Sequence, residues 1–129
     1  RVPSTEGETT RVILESLAME YRYVLDCMEQ TIGDRIASVH VVGGGSRNRL
    51  LCQLTACASK KMVVAGPVEA TATGNILMQA LSDGEIADVP QIRAVVRNSF
   101  PLVFYQPDDT ALWDEKYHLY RGLKTIAEG

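Results

Sequence analysis

Residues 43–49, Gly-Gly-Gly-Ser-Arg-Asn-Arg, concentrate the groups of this chain best suited to holding a ligand. Three consecutive glycines admit φ > 0 and bring the backbone close to a bound molecule with no Cβ between them. Ser46 can cap a helix that starts there. The free N–H groups of that start, with the positive end of the helix dipole, favour an electron-rich ligand. Arg47 and Arg49 flank the start and are read as surface arginines, with phosphate contact as the alternative. The chemistry on offer is recognition of a nucleotide-type ligand, against a tight strand-to-helix turn that binds nothing. His40 and His118 stand singly, and His40 reads as a sheet residue rather than a base.

The elements that must position this turn follow from periodicity. Val39, Val41 and Val42 make Ile36–Val42 a buried strand, and Ser46–Ser59 a helix with Leu50, Leu51, Leu54 and Ala58 facing inward. Lys60-Lys61 closes that helix, and Met62–Ala65 is a second buried strand, giving a parallel βαβ unit. Upstream, Thr5 and Glu8 have capping-box spacing, so a helix begins near Glu6 and ends at Gly33. Its stripe (Leu14, Leu17, Ala18, Tyr21, Val24, Leu25, Met28 and Ile32) predicts packing against a sheet, with Glu15, Arg22, Asp26 and Glu29 on a solvated face. Glu20 and Tyr23 are read as part of that solvated surface.

Downstream, Glu69 precedes a helix carrying Ile76, Leu77, Ala80 and Leu81 that fades at Asp83-Gly84. Glu69 is read as its cap, with a ligand or metal contact as the alternative. Gly74 inside it suggests close packing of that helix. Asp88 caps a short helix with Pro90 in its first turn. Leu102–Tyr105 is a brief strand or extended segment. Residues 108–127 form the last helix, with Leu112, Trp113, Tyr117, Tyr120, Leu123 and Ile126 on its apolar side.

At 129 residues and 46% hydrophobic, the chain is long enough for one real core. A net charge of −3 with interspersed signs provides no basic face for nucleic acid. No apolar run reaches membrane-spanning length, and no signal peptide is visible. Cys27, Cys52 and Cys57 are odd in number and lack CxxC or Cys/His spacing, so they read as reduced, mostly buried thiols of a cytoplasmic chain. The start at Arg1, within a polar segment, suggests a piece of a longer protein.

Val41–Leu54, Val-Val-Gly-Gly-Gly-Ser-Arg-Asn-Arg-Leu-Leu-Cys-Gln-Leu, resembles the adenosine motif of the FGGY family of carbohydrate kinases. Residues 63–79, with their Ala-Gly-Pro-Val-Glu-Ala start and Gly-Asn-Ile continuation, are similar to the rhamnulokinase branch of that family. The resemblance implies an α/β fold: the later half of a ribonuclease-H-like, actin-like ATPase domain, with a parallel βαβ unit and flanking helices, incomplete by itself. It implies that residues 1–129 are part of the C-terminal, nucleotide-binding domain of a longer kinase acting in rhamnose catabolism.

The resemblance further implies ATP as phosphoryl donor. Gly44 would lie along the adenosine or α-phosphate, Asn48 would hydrogen-bond the adenine edge, and Gly43, Gly45 and Ser46 would shape that wall. No residue here matches the family's catalytic aspartate, phosphate loop or sugar contacts, so Mg²⁺ and the sugar are expected to be held outside this chain. The chain alone is predicted inactive, and homo-oligomeric because its sheet is unfinished. The alternatives are another FGGY kinase (for xylulose, fuculose or glycerol), a dinucleotide-binding oxidoreductase, and a non-catalytic interaction domain. Against the oxidoreductase, Arg47 and Asn48 occupy the register of a third glycine in GxGxxG.

Overall fold

Thr5 accepts a hydrogen bond from the Glu8 backbone N–H at 3.1 Å, and Gly33 takes φ 75°. Between these caps runs α1, Glu6–Ile32. The computed structural model describes residues 2–128, and the side chains of residues 2–125; Ile126 therefore lies outside the described side chains. After α1 come β1 (Ser38–Val41), a 3-10 turn (Gly43–Arg47), α2 (Arg49–Ser59) and β2 (Met62–Ala65). Then follow α3 (Ala70–Ser82), α4 (Val89–Ser99), β3 (Val103–Tyr105) and α5 (Thr110–Glu128).

The sheet order is β1-β2-β3. β1 and β2 are parallel, with Val39 opposite Val63 and Val41 opposite Ala65, as the βαβ spacing predicts. β3 pairs with β2 antiparallel, Tyr105 opposite Val63, which makes the sheet mixed. One edge of β1 is left free.

α2 is the middle layer. Cys52 and Ala56 pack on Val63 and Ala65 of the sheet, with Val39, Val41 and Tyr105 around them. On its other side, Leu54, Cys57 and Ala58 meet Ala18 and Met19 of α1 and Trp113 and Tyr117 of α5. Residues 54–59 are buried in an unbroken run, the mark of a helix covered all round. The buried hydroxyls of Thr55 and Ser59 donate to the carbonyls of Leu51 and Thr55, at 2.7 and 2.6 Å. Burial also pushes the Cys52 thiol up, which keeps it protonated. Cys27, in contrast, is exposed.

Several expectations are corrected. α1 packs on α2 and α5, not on the sheet, because α2 already occupies that face. The outer part of its stripe, Leu17, Tyr21, Val24, Met28 and Ile32, remains exposed. Leu50 is exposed and Cys52 takes the sheet-facing place, since α2 starts at Arg49, three residues later than Ser46. An added Cβ at Gly74 would meet nothing within 4 Å, so α3 is not closely packed there.

The face of α1 expected to be solvated is a polar seam. Arg22 pairs with Asp114 at 2.9 Å and Lys116 with Glu15 at 3.0 Å. The Tyr117 hydroxyl donates to Asp26 at 2.6 Å, and Glu20 accepts from Tyr120 and Lys124. Lys124 also lies 3.9 Å from the centre of the Tyr23 ring. The basic pair ending α2 joins the seam, Lys60 to Asp114 at 2.5 Å and Lys61 to Glu29 at 2.6 Å.

Candidate nucleotide site

The chain leaves β1 at Val41, and the glycine run turns it immediately. Gly43 has φ 71°, a left-handed conformation that a side chain resists, and its N–H donates to the Pro67 carbonyl at 3.1 Å. The Gly66 N–H donates in turn to the Val41 carbonyl at 2.9 Å. These two bonds stitch the loop after β1 to the loop after β2, at the carboxyl ends of parallel strands. Ligands of open α/β sheets bind at such ends.

Residues 43–47 form a 3-10 turn rather than the start of an α-helix. Ser46 does not cap α2: its hydroxyl donates back to the Gly43 carbonyl at 2.6 Å and closes the turn on itself. The cap is Asn48, whose Oδ1 accepts from the Leu51 N–H at 3.0 Å. A side-chain hydroxyl so near a glycine finds the carbonyl three residues back first, and the α-helix waits for the next capping residue. The aligned dipole expected at Ser46 is therefore displaced to Arg49, and the turn itself offers only individual backbone groups.

Gly44 is exposed, and an added Cβ there would meet no other atom within 4 Å. Its glycine character answers to the space outside the protein, whereas that of Gly43 answers to the backbone. Gly45 lies over β1, an added Cβ falling 3.6 Å from Val41 Cγ1. The cap bond engages Asn48 Oδ1, and the amide Nδ2 is the group of that side chain that can donate. The structure thus brings Gly43, Gly44, Gly45, Ser46 and Asn48 into one turn. Arg47 and Arg49 are exposed on it. Glu69 stands at the N-cap of α3 but makes no side-chain cap bond, contrary to expectation.

Beside the stitched loops lies a groove of about 560 Å³, lined by His40, Val42, Gly66 and Pro67 and by Ile92, Arg93, Val96 and Arg97 of α4. The start of α4 was legible in sequence, but its two arginines carried no signal there beyond their i,i+4 spacing. Among the described residues, no group of three or more His, Cys, Asp or Glu could hold a metal ion. None of the helices described is long and apolar enough to cross a membrane.

Comparison with known proteins gives the family and the fold. The chain is 48% identical over 116 residues to the rhamnulokinase of Bacteroides thetaiotaomicron, covering 90% of this chain and 24% of that one. It is 45% identical over 109 residues to the rhamnulokinase of Bacillus subtilis, covering 84% and 22%. The chain thus spans about a quarter of the length of the curated relatives it matches. The crystal structure of xylulose kinase from Rhodospirillum rubrum superposes with a TM-score of 0.73 at 20% identity, over 99% of this chain and 26% of that one. That likeness gives the fold: the α/β later half of a ribonuclease-H-like, actin-like ATPase domain. Residues 1–82 match the model of the C-terminal domain of the FGGY family of carbohydrate kinases, and the chain belongs to that family.

Proposed function

We propose that residues 1–129 are the nucleotide-binding part of the C-terminal domain of a rhamnulokinase, which transfers the γ-phosphate of ATP to L-rhamnulose. One observation carries this reading: 48% identity, over 90% of the chain, to a relative of that name. The geometry of the glycine turn supports it. Adenosine lies against the exposed backbone of Gly44, where a side chain would take its place. Asn48 presents Nδ2 to an acceptor on the adenine edge, its orientation fixed by the Oδ1 cap. Gly43, Gly45 and Ser46 hold the wall in shape.

Phosphoryl transfer rests on positioning and on neutralising the phosphates, which Mg²⁺ supplies when bound with the nucleotide. The described residues do not form a metal site, so no step through Mg²⁺ is assigned to them. The base that deprotonates the sugar, the metal contacts and the sugar pocket belong to other parts of the polypeptide. Three unbridged cysteines, two of them buried, suit a reducing cytoplasm, where we place the reaction.

The test is a coupled ADP-release assay on the intact polypeptide with L-rhamnulose, xylulose, fuculose and glycerol. Turnover of L-rhamnulose ahead of the others is expected. Preference for another acceptor would move the protein to a different branch of the family. Calorimetric binding of NAD in place of ATP would remove it from the kinases.

A further inference from the structure

On the polar seam cations are neutralised: Arg22 and Lys60 share Asp114, Lys61 takes Glu29, Lys116 takes Glu15 and Lys124 takes Glu20. Arg93 and Arg97 are different. Both are exposed, neither makes an ion pair among the described residues, and both line the groove at the carboxyl ends of β1 and β2. Their i,i+4 spacing sets both on one face of α4, where like charges repel unless an anion lies between them. His40 adds a third polar group from β1. Val42, Pro67, Ile92, Val96 and Leu102 form the rest of the wall, and such apolar lining strengthens an electrostatic contact by excluding water. Arg47 and Arg49, likewise outside any ion pair among the described residues, follow β1 at the same end of the sheet.

We propose that this groove is a binding site for a phosphorylated small molecule, with Arg93 and Arg97 as its charge ligands. Guanidinium forks match phosphate oxygens two at a time. Two forks one helical turn apart suit a dianion with three free oxygens, whereas a single carboxylate has only two oxygens to share. A volume of about 560 Å³ takes a ligand of metabolite size. The phosphate can come from the nucleotide itself or from a separate phosphorylated compound. The proposal rests on the nucleotide reading only for the first source.

Calorimetric titration of the 129-residue chain at low salt with inorganic phosphate, tripolyphosphate, ATP and adenosine tests it. Phosphate and tripolyphosphate are expected to bind, and Arg93→Gln/Arg97→Gln to weaken both by about tenfold or more. Arg121→Gln, an exposed arginine of α5, leaves them unchanged, and Arg93→Lys/Arg97→Lys restores part of the loss. All positions changed are exposed, and circular dichroism checks that each variant folds. A parallel loss for ATP with adenosine unaffected identifies the nucleotide's phosphates as the ligand. Loss for phosphate with ATP unaffected identifies a separate compound. Failure of the intact polypeptide to bind adenosine or ATP would remove the nucleotide reading and leave the groove standing. Phosphate binding equal in the Gln variant and the parent chain, or no binding by the parent chain, overturns the proposal.

Discussion

Gly43 donates its N–H to the carbonyl of Pro67, so the turn that follows one parallel strand hangs on the turn that follows the next. The glycine turn is therefore positioned by the sheet itself. Gly43 also holds φ 71°. Gly43→Ala is expected to lower stability by about 1 kcal/mol or more, because a side chain is disfavoured at that angle. Urea denaturation read by circular dichroism measures it, and an unchanged midpoint would mean the turn relaxes without cost.

Gly44 separates fold from ligand. Its φ lies outside the left-handed range and its surroundings are open, so Gly44→Val is expected to cost only about 0.5 kcal/mol of stability through local propensity. Nucleotide affinity should nevertheless be lost. A Gly44→Val chain that is folded and binds ATP as before would show that nothing approaches this backbone.

Asn48 caps α2, and substitution can divide that role from the proposed contact with adenine. Asn48→Asp keeps the oxygen that caps α2 and removes the Nδ2 donor. Stability should hold while KM for ATP rises, by the worth of one hydrogen bond, about 0.5–1.5 kcal/mol. Asn48→Ala loses the cap as well, a further cost of about 0.5–2 kcal/mol in folding stability. Thermal unfolding and steady-state kinetics of the intact polypeptide read the two separately. Equal KM values in all three proteins would confine Asn48 to capping.

The polar seam predicts a response to acid. Lys60, then Arg22, hold the Asp114 carboxyl below its ordinary value of 3.8. Lys61, with the Ile36 N–H, lowers Glu29, and Lys124, with Tyr120, lowers Glu20, each from an ordinary 4.5. For Glu15, burial opposes the shift, but Arg11 and Lys116 outweigh it. Folded values below unfolded ones mean that the stabilisation is complete above the unfolded values and disappears as pH falls through the folded ones. The melting temperature should stay level from neutrality to about pH 5 and drop below that. Asp114→Asn should be less stable than the parent at neutral pH, with the gap closing in acid. A constant gap would assign the seam to packing rather than charge.

The uncovered side of α1 and the outer edge of β1 are expected to act together as an adhesive surface. Tyr21, Val39, Val41 and Leu51 border a groove of about 320 Å³ beside that edge. Unpaired edges and exposed apolar faces recruit partners. The 129-residue chain is expected to self-associate in sedimentation equilibrium and to show no turnover of sugar. A monomer across the concentration range would mean that this surface is not adhesive.

The βαβ unit and the caps at Thr5, Gly33 and Asp88 were legible because each rests on a local rule: alternation, capping spacing or a glycine C′. The glycine turn was legible as a turn for the same reason. Which residue caps α2 was not, since Ser46 and Asn48 both suit the role and only the 3-10 closure onto Gly43 decides between them. The polar seam was invisible because Glu15, Arg22 and Asp26 have the spacing of a solvated face, and their partners lie on α5. The sheet's third strand was half-legible: Val103–Tyr105 is too short to declare a pairing partner. Arg93 and Arg97 gained meaning only when α4 was set against the loops after β1 and β2.

The seam between the first and last helices joins residues far apart in synthesis: Asp26 waits for Tyr117, and Glu20 for Lys124, across 91 and 104 residues. At ordinary elongation rates that interval is roughly 5–20 s, during which α1 is already made but lacks the helix that holds its polar side. A nascent chain stalled before Thr110 should therefore be cut by protease within α1, and one extended past Glu128 should resist. The synthesis of α5 would then govern how long α1 stays exposed to chaperones and degradation.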